Sequence, residues 1–310
     1  MALDAVMIVL SIFLLLGMGM ALTHRGWIDA GGAKLLARLT VSVGMPALVL
    51  NNVLTQFHRE GLASSLRAIA ICYLSVGLSV LLGWGAARLI AIPAKRRGAF
   101  MCAFSFSNCV FIGLPVAVAL FGEEATPYAL IYYIANTSLF WSLGNYLLAR
   151  DGGGKGRLDV KKLIPAPLVA FVLGVAMVLL KLTLPSFVLS ACKYLGALVT
   201  PLSLLYTGYV VMGMVKARQV RWEKGYGLIL LARFLITPAL TWLCARFIPV
   251  SGQVLPVLLV QTAMPVMASA AIAAGDQGAD APYVAGSIAL STFVFLATLP
   301  ILSAVMPYIA

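Results

Sequence analysis

A cluster of small polar residues, Ser105-Phe-Ser107-Asn108, stands inside an otherwise apolar stretch and runs on into Gly113-Leu-Pro115. An Asn side chain offers two donors and an acceptor, enough to clamp a carboxylate or help ligate a cation. A proline inside a helix removes one donor and frees a carbonyl one turn upstream. A second place of this kind, Gln261-Thr262-Ala-Met-Pro265, follows far down the chain. Between them, Asn136-Thr137-Ser138 opens a polar stripe. Ser138, Ser142 and Asn145, at i, i+4 and i+7, are expected to share one helix face. Asn51 and Asn52 close another apolar run, and Arg233 is the one basic residue deep inside such a run.

The candidate substrate-binding residues are therefore Asn108, Gly113, Pro115, Gln261, Thr262, Pro265, Asn51, Asn136 and Ser138. Arg233, Asp276 and Asp280 are the candidates for gating or coupling. Each has a plainer reading beside the functional one. Buried Asn, Ser and Thr side chains tie membrane helices together at about 0.6 kcal/mol each. An Arg near a helix end can snorkel to the interface, and Asp276 and Asp280 can serve as solvated caps.

What is missing narrows the chemistry. The ten acidic residues and both histidines fall in connections or at the ends of apolar runs, so no mid-membrane carboxylate or imidazole is in place to relay protons. The G-x-S-x-G elbow, the H-E-x-x-H helix and the P-loop are all absent, so an enzyme is not expected. Thr207-Gly-Tyr-Val210 echoes a potassium filter only faintly and lies within a long apolar run. The five cysteines have no metal-ligand spacing, and no cofactor is expected. Carbonyl, Asn and hydroxyl oxygens leave Na+ as a coupling option.

The elements that position these residues follow from composition. Of the 310 residues 62% are hydrophobic and 10% charged, against about 25% charged in soluble domains. So few charged side chains cannot cover that apolar surface, and the excess must face lipid. A bilayer core of about 30 Å needs roughly 20 apolar residues per helix. That rule yields ten candidate spans: 4–22, 34–54, 66–91, 97–121, 126–148, 163–181, 187–214, 225–248, 253–274 and 282–308. The first carries Asp4 where a signal peptide would carry positive charge, and reads as a retained span.

The net charge of +12 reflects Lys and Arg in short connections rather than a basic patch for nucleic acid. Sixteen of the 22 fall on the odd-numbered connections and five on the other side, which places the former in the cytoplasm and both termini outside. A plasma-membrane protein, in a bacterium the inner membrane, is the expectation. The glycine-rich stretch 149–162 reads as a cytoplasmic linker between halves 1–148 and 163–310. Five spans per half force opposite orientations, so any repeat is an inverted one. The halves share punctuation, with Pro46 matched to Pro201 and Pro115 to Pro265. Asn108 lies about 16 Å of helical rise past Arg97, and Met264 the same distance past Gln253, so both breaks are expected near the midplane.

Three segments carry a family resemblance: Asn108-Cys-Val-Phe-Ile-Gly113-Leu-Pro115, Ala232-Arg233-Phe-Leu-Ile-Thr-Pro238-Ala239 and Val260-Gln261-Thr-Ala263-Met-Pro265. With the closing Leu290-Ser-Thr-Phe and Thr298-Leu-Pro300, the chain resembles the auxin efflux carrier family over essentially its whole length. The resemblance implies an all-α polytopic membrane protein with ten transmembrane helices as two inverted five-helix repeats. Helices four and nine are then broken and cross, a scaffold and a mobile transport domain are separate, and the protein is a homodimer. It also implies that Asn108 helps bind a substrate carboxylate. The short linker and the apolar Val266-Met267-Ala268 depart from the plant exporters and point away from auxin. The expected function is secondary transport of small organic anions, such as mono- or dicarboxylates of malate or malonate type, by alternating access. The alternatives are a carrier of neutral or amino-acid-like solutes, and a membrane sensor or channel without coupled turnover.

Overall fold

Backbone in lipid must satisfy its own hydrogen bonds, and each of the apolar stretches folds as helix. The computed structural model describes residues 2–56, 62–154, 166–217, 222–250 and 252–309. Along the first half run α1 (Ala2–His24), α2 (Ala30–Leu39), α3 (Met45–Gln56), α4 (Leu62–Leu89), α5 (Arg97–Ser105), α6 (Leu114–Phe121), α7 (Thr126–Leu139) and α8 (Asn145–Asp151). The second half has α9 (Ala166–Leu179), α10 (Ser186–Ala197), α11 (Val199–Ala217), α12 (Tyr226–Leu231), α13 (Thr237–Phe247), α14 (Val254–Thr262), α15 (Ser269–Asp276) and α16 (Ala281–Ile309). Among the described residues five segments can cross a membrane by length and composition: Ala30–Thr55, Ser65–Leu89, Ser186–Gly213, Tyr226–Phe247 and Ala281–Pro300. Others are shorter apolar helices or are interrupted.

The distribution of polarity is the reverse of a soluble protein's. Leu14, Leu81, Leu173, Phe187 and Leu235 are each more than half exposed, whereas Ser107, Asn136, Arg233, Thr241, Gln261 and Ser291 are fully buried. An apolar surface that extensive marks contact with lipid, and the buried polar groups must find partners inside. Helix contacts use small residues, as expected where packing rather than hydrophobicity drives association. Gly19 of α1 lies against the Leu205 backbone of α11, and Gly208 of α11 lies against the Leu16 backbone of α1, leaving no room for a Cβ at either.

Among the described residues four π turns interrupt the α-helices: Thr40–Gly44, Cys109–Gly113, Phe140–Gly144 and Ala232–Ile236. Three of them are followed, two residues on, by a proline: Pro46, Pro115 and Pro238. The cause is steric. A proline ring collides with the carbonyl four residues upstream and offers it no N–H, and one extra residue in the preceding turn moves that carbonyl aside. These prolines therefore bulge their helices without ending them.

That corrects the expectation of a break at Pro115, which lies within the helical run from Cys109 to Phe121. Chain interruption comes seven residues earlier, at Phe106–Asn108. Pro201 likewise sits in the first turn of α11, just past a kink at Leu198. Part of the stretch read as a linker, 155–162, lies outside the described residues. Its beginning is anchored, with the Asp151 carboxylate accepting from the Ala99 N–H at 2.8 Å and Gly152 packed on the Gln277 carbonyl.

Candidate substrate-binding site

The interruption after α5 has a local origin. Ser and Asn offer the backbone hydrogen bonds that compete with helix, and here they do so in succession. Phe106 is extended, and Asn108 turns the chain and caps the next helix, its Oδ1 accepting from the Phe111 N–H at 3.3 Å. The interruption after α14 runs from Ala263 to Ala268, with Pro265 inside it.

The two interruptions pair as a short antiparallel patch, Ser107 opposite Val266. Asn108 N–H donates to the Pro265 carbonyl at 2.8 Å, and Met267 N–H donates to the Phe106 carbonyl at 3.1 Å. Side chains satisfy what the patch leaves over. Asn136 accepts from the Ser107 N–H at 3.2 Å and donates to the Ser107 carbonyl at 3.1 Å, and the Val266 N–H donates to Ser291 Oγ at 3.1 Å. Asn136 is thus engaged at both ends of its amide with backbone.

Arg233 is brought to this patch by the π turn Ala232–Ile236, and it is fully buried. Its Nε donates to the Met264 carbonyl at 3.0 Å, and one terminal nitrogen donates to the carbonyls of Phe104 and Ser105 at 3.3 and 3.0 Å. The other terminal nitrogen donates to the Thr262 carbonyl, which Thr237 Oγ1 also reaches at 3.0 Å. These acceptors lie at the C-terminal ends of α5 and α14, where each helix presents about half a negative charge. One guanidinium therefore neutralises two helix ends and ties them together.

Two amides remain without full engagement. Among the described residues nothing accepts from the Asn108 amide nitrogen. Gln261 is fully buried, yet neither its Oε1 nor its Nε2 has a partner. Its Oε1 lies over Gly113, so closely that a side chain at 113 would strike it, and Met264 closes the same space from the side. Gly113 N–H in turn donates to the Asn108 carbonyl at 3.0 Å. Asn108, Gly113, Gln261 and Pro265 thus form one locale, walled by apolar Ile112, Val116, Val260 and Met264.

Across from it stands α11. Phe111 lies against the Tyr206 ring at 4.5 Å between centroids, and the Thr207 hydroxyl shares its proton between the Ser203 carbonyl of its own helix at 2.8 Å and the Phe111 carbonyl at 3.3 Å. That carbonyl is the one Pro115, four residues on, cannot serve. The sequence offers no signal for Tyr206, and it shows Thr207 and Ser291 only inside the Thr207-Gly-Tyr-Val210 and Leu290-Ser-Thr-Phe segments, with no structural part assigned to either. The Thr207-Gly208 pair, set aside as a chance echo of a filter, satisfies this carbonyl and packs α11 on α1.

Other candidates sit elsewhere. Thr262 Oγ1 bonds back to the carbonyls of Leu258 and Leu259. Asn51 donates to Asn52 at 3.2 Å near the end of α3. Ser138 Oγ is 2.9 Å from Tyr73 Oη of α4, while Asn145 accepts from Gln277 at 3.2 Å. The expected shared face of Ser138 and Asn145 is therefore not realised, because the π turn Phe140–Gly144 inserts a residue between them. Asp276 is exposed at the end of α15. Asp280 pairs with Arg96 at 2.7 Å, and Glu223 with the same guanidinium at 2.9 Å, beneath the Tyr283 ring. Burial opposes the Arg96 charge, and hydrogen bonds and charge from Asp280 and Glu223 outweigh it, so its pKa lies above the ordinary value.

Comparison with known proteins places this geometry in context. The profile of a family described as membrane transport protein matches residues 4–158 and 157–303. An uncharacterized transporter of Methanocaldococcus jannaschii is 26% identical over 294 residues, covering 92% of this chain and 93% of its own. An uncharacterized transporter of Methanothermobacter thermautotrophicus is 26% identical over 299 residues, covering 96% and 97%.

Proposed function

Because the chain belongs to the membrane transport protein family, an auxin efflux carrier-like group, we propose that it is a secondary transporter of small organic anions, binding mono- or dicarboxylates where the two interrupted helices meet and working by alternating access. The observation that carries this reading is the pair of available amides, Asn108 and buried Gln261, beside Gly113 at the paired interruptions. Electrostatics supports an anion. Arg233 balances the two C-terminal helix ends, so the uncapped N-terminal end beginning at Ser269, about half a positive charge, is left for a ligand, with the Asn108-capped end at Cys109 beside it.

The reading extends to architecture. Two inverted five-helix repeats, 1–148 and 163–310, joined by 149–162, would place broken helices four and nine at their crossing. The lateral support fits such a repeat, since Asn136 serves Ser107 from the fifth span and Ser291 serves Val266 from the tenth. A homodimer in the plasma membrane with both termini outside completes the proposal. Cysteines introduced at Arg96 and Gly153 should then label only from the cytoplasm, and one at Glu123 only from outside.

The test is a binding screen of small organic acids on purified protein, followed by N108A. Loss of its amide is expected to cost about 1–3 kcal/mol, a 5- to 150-fold drop in affinity. Parent-like binding and counterflow by a well-folded N108A protein would falsify the site. With no carboxylate or imidazole at the site among the described residues, uptake should survive collapse of the pH gradient at fixed membrane potential, by uniport or coupled to Na+. One observation favours a second reading, a neutral or amino-acid-like substrate: the available groups are uncharged amides, and the guanidinium is occupied. Competition between acids and their amides separates the two.

A further inference from the structure

A cavity apart from the interruptions lies where the ends of α4 and α8 meet the start of α5. It has a volume of about 230 Å³ and is lined by Trp84, Arg88, Lys95, Arg97, Arg150 and Asp151, with apolar Met101 and Leu147 behind them. We infer that this cavity binds the phosphate of an anionic phospholipid headgroup.

Charge is the first argument. Four cations face one carboxylate, and that carboxylate is occupied by the Ala99 N–H at the start of α5. Arg97 uses only Nε internally, donating to the Ile92 carbonyl at 3.0 Å. Arg88 lies 4.0 Å from the centre of the Trp84 ring. Among the described residues none of the four forms an ion pair. The neighbouring Arg96 provides the contrast, since it has two carboxylate partners. The protein thus pairs the cation between them and leaves the surrounding four around a space roomy enough for a phosphate and the groups attached to it. Fixed guanidinium groups are well matched to phosphate oxygens.

The second argument selects lipid over free phosphate. Leu81, Trp84 and Arg88 follow one another on a single face of α4, at i, i+3 and i+7. Leu81 is 64% and Trp84 47% exposed. An apolar strip therefore leads directly to the cations, with an aromatic residue at the changeover, as at a membrane–water interface. A free phosphate would use the cations only, whereas a phospholipid would use the strip as well. Basic pockets between membrane helices are known to take such headgroups.

The experiment reconstitutes the parent and R88Q/K95Q/R150Q into nanodiscs of phosphatidylcholine doped with phosphatidylglycerol and measures co-purifying lipid by native mass spectrometry. The parent should retain phosphatidylglycerol selectively, and the triple variant should lose that selectivity by on the order of 100-fold. R88Q and R150Q alone, each expected to lose about 5-fold, carry the test if the triple variant fails to fold. In a second arm inorganic phosphate is titrated into detergent-solubilised parent. Equal retention by parent and variants, or no preference over phosphatidylcholine, overturns the inference. Saturable phosphate binding without lipid selectivity overturns it too, in favour of a soluble anion.

Discussion

The two interruptions are bonded to each other yet built from different materials. The first, Phe106–Asn108, is polar and is held by side chains: Asn136 grips both backbone groups of Ser107, Tyr132 Oη lies 3.1 Å from Ser107 Oγ, and Asn108 caps the helix that follows. The second, Ala263–Ala268, is apolar and contributes mainly backbone. Ser291 supports it through a single bond, and α15 begins behind Ala268 with no side-chain cap. Side-chain hydrogen bonds therefore concentrate on the first interruption, and an uncapped helix N-terminus stands on the second. The proposed site draws on both, because a neutral amide orients a ligand while a helix end supplies partial charge.

Arg233 belongs to both interruptions, so its loss should have the largest effect. R233A leaves four carbonyls and two helix ends without their cation, and a destabilisation of about 3–5 kcal/mol is expected. R233K keeps the charge and loses the fork, so it should recover only part. Thermal unfolding in detergent measures both, and a parent-like midpoint for R233A would remove the claim that one residue joins the two halves of the patch.

The asymmetry itself is tested by N136A against S291A. The first unpairs two backbone groups and the second one, at about 1–3 kcal/mol per group, so N136A should be roughly twice as damaging by the same measurement. Equal effects would mean that the interruptions are held alike. A third, smaller effect probes the space between them. G113A drives a methyl against Gln261 and Met264 and should cost about 1–3 kcal/mol, and Q261A should relieve part of that, giving a coupling of at least 0.5 kcal/mol in a double-mutant cycle. Additivity would separate Gly113 from Gln261. D280N should matter least, because its amide oxygen can still accept from Arg96 and Glu223 keeps the other ion pair of that guanidinium. About 0.2–1 kcal/mol is expected, shrinking as salt is raised.

Much of the helical layout was legible, because runs of about 20 apolar residues have few alternatives to helix in a bilayer. Asn108 and Gln261 were legible for the same reason, as polar residues amid apolar ones. What misled was proline. Pro115 looked like the cause of a break that Ser105, Ser107 and Asn108 produce, and the proline instead bulges the following turn. The partnership of Arg233 with Phe104, Ser105, Thr262 and Met264 joins residues up to 129 apart and leaves no local pattern. The structural parts of Thr207 and Ser291 were not legible because each hydroxyl also bonds its own helix, at the carbonyls of Ser203 and Ile288, as Ser203 and Thr241 do at those of Val199 and Thr237. A hydroxyl that reaches a neighbouring element looks no different in sequence.

The four π turns are unequal in one respect. Three are locked, since Pro46, Pro115 and Pro238 would each clash if the preceding turn tightened to α. The turn Phe140–Gly144 is followed by Asn145-Tyr146 and has no such lock. Its extra residue is, in effect, an insertion that the helix can pass along or expel. Expelling it would rotate α8 by about 100°, swinging Asn145 off Gln277 and withdrawing Asp151 from the start of α5. One removable residue in α7–α8 thus sets the angular position of every side chain that α8 presents to α5 and α15.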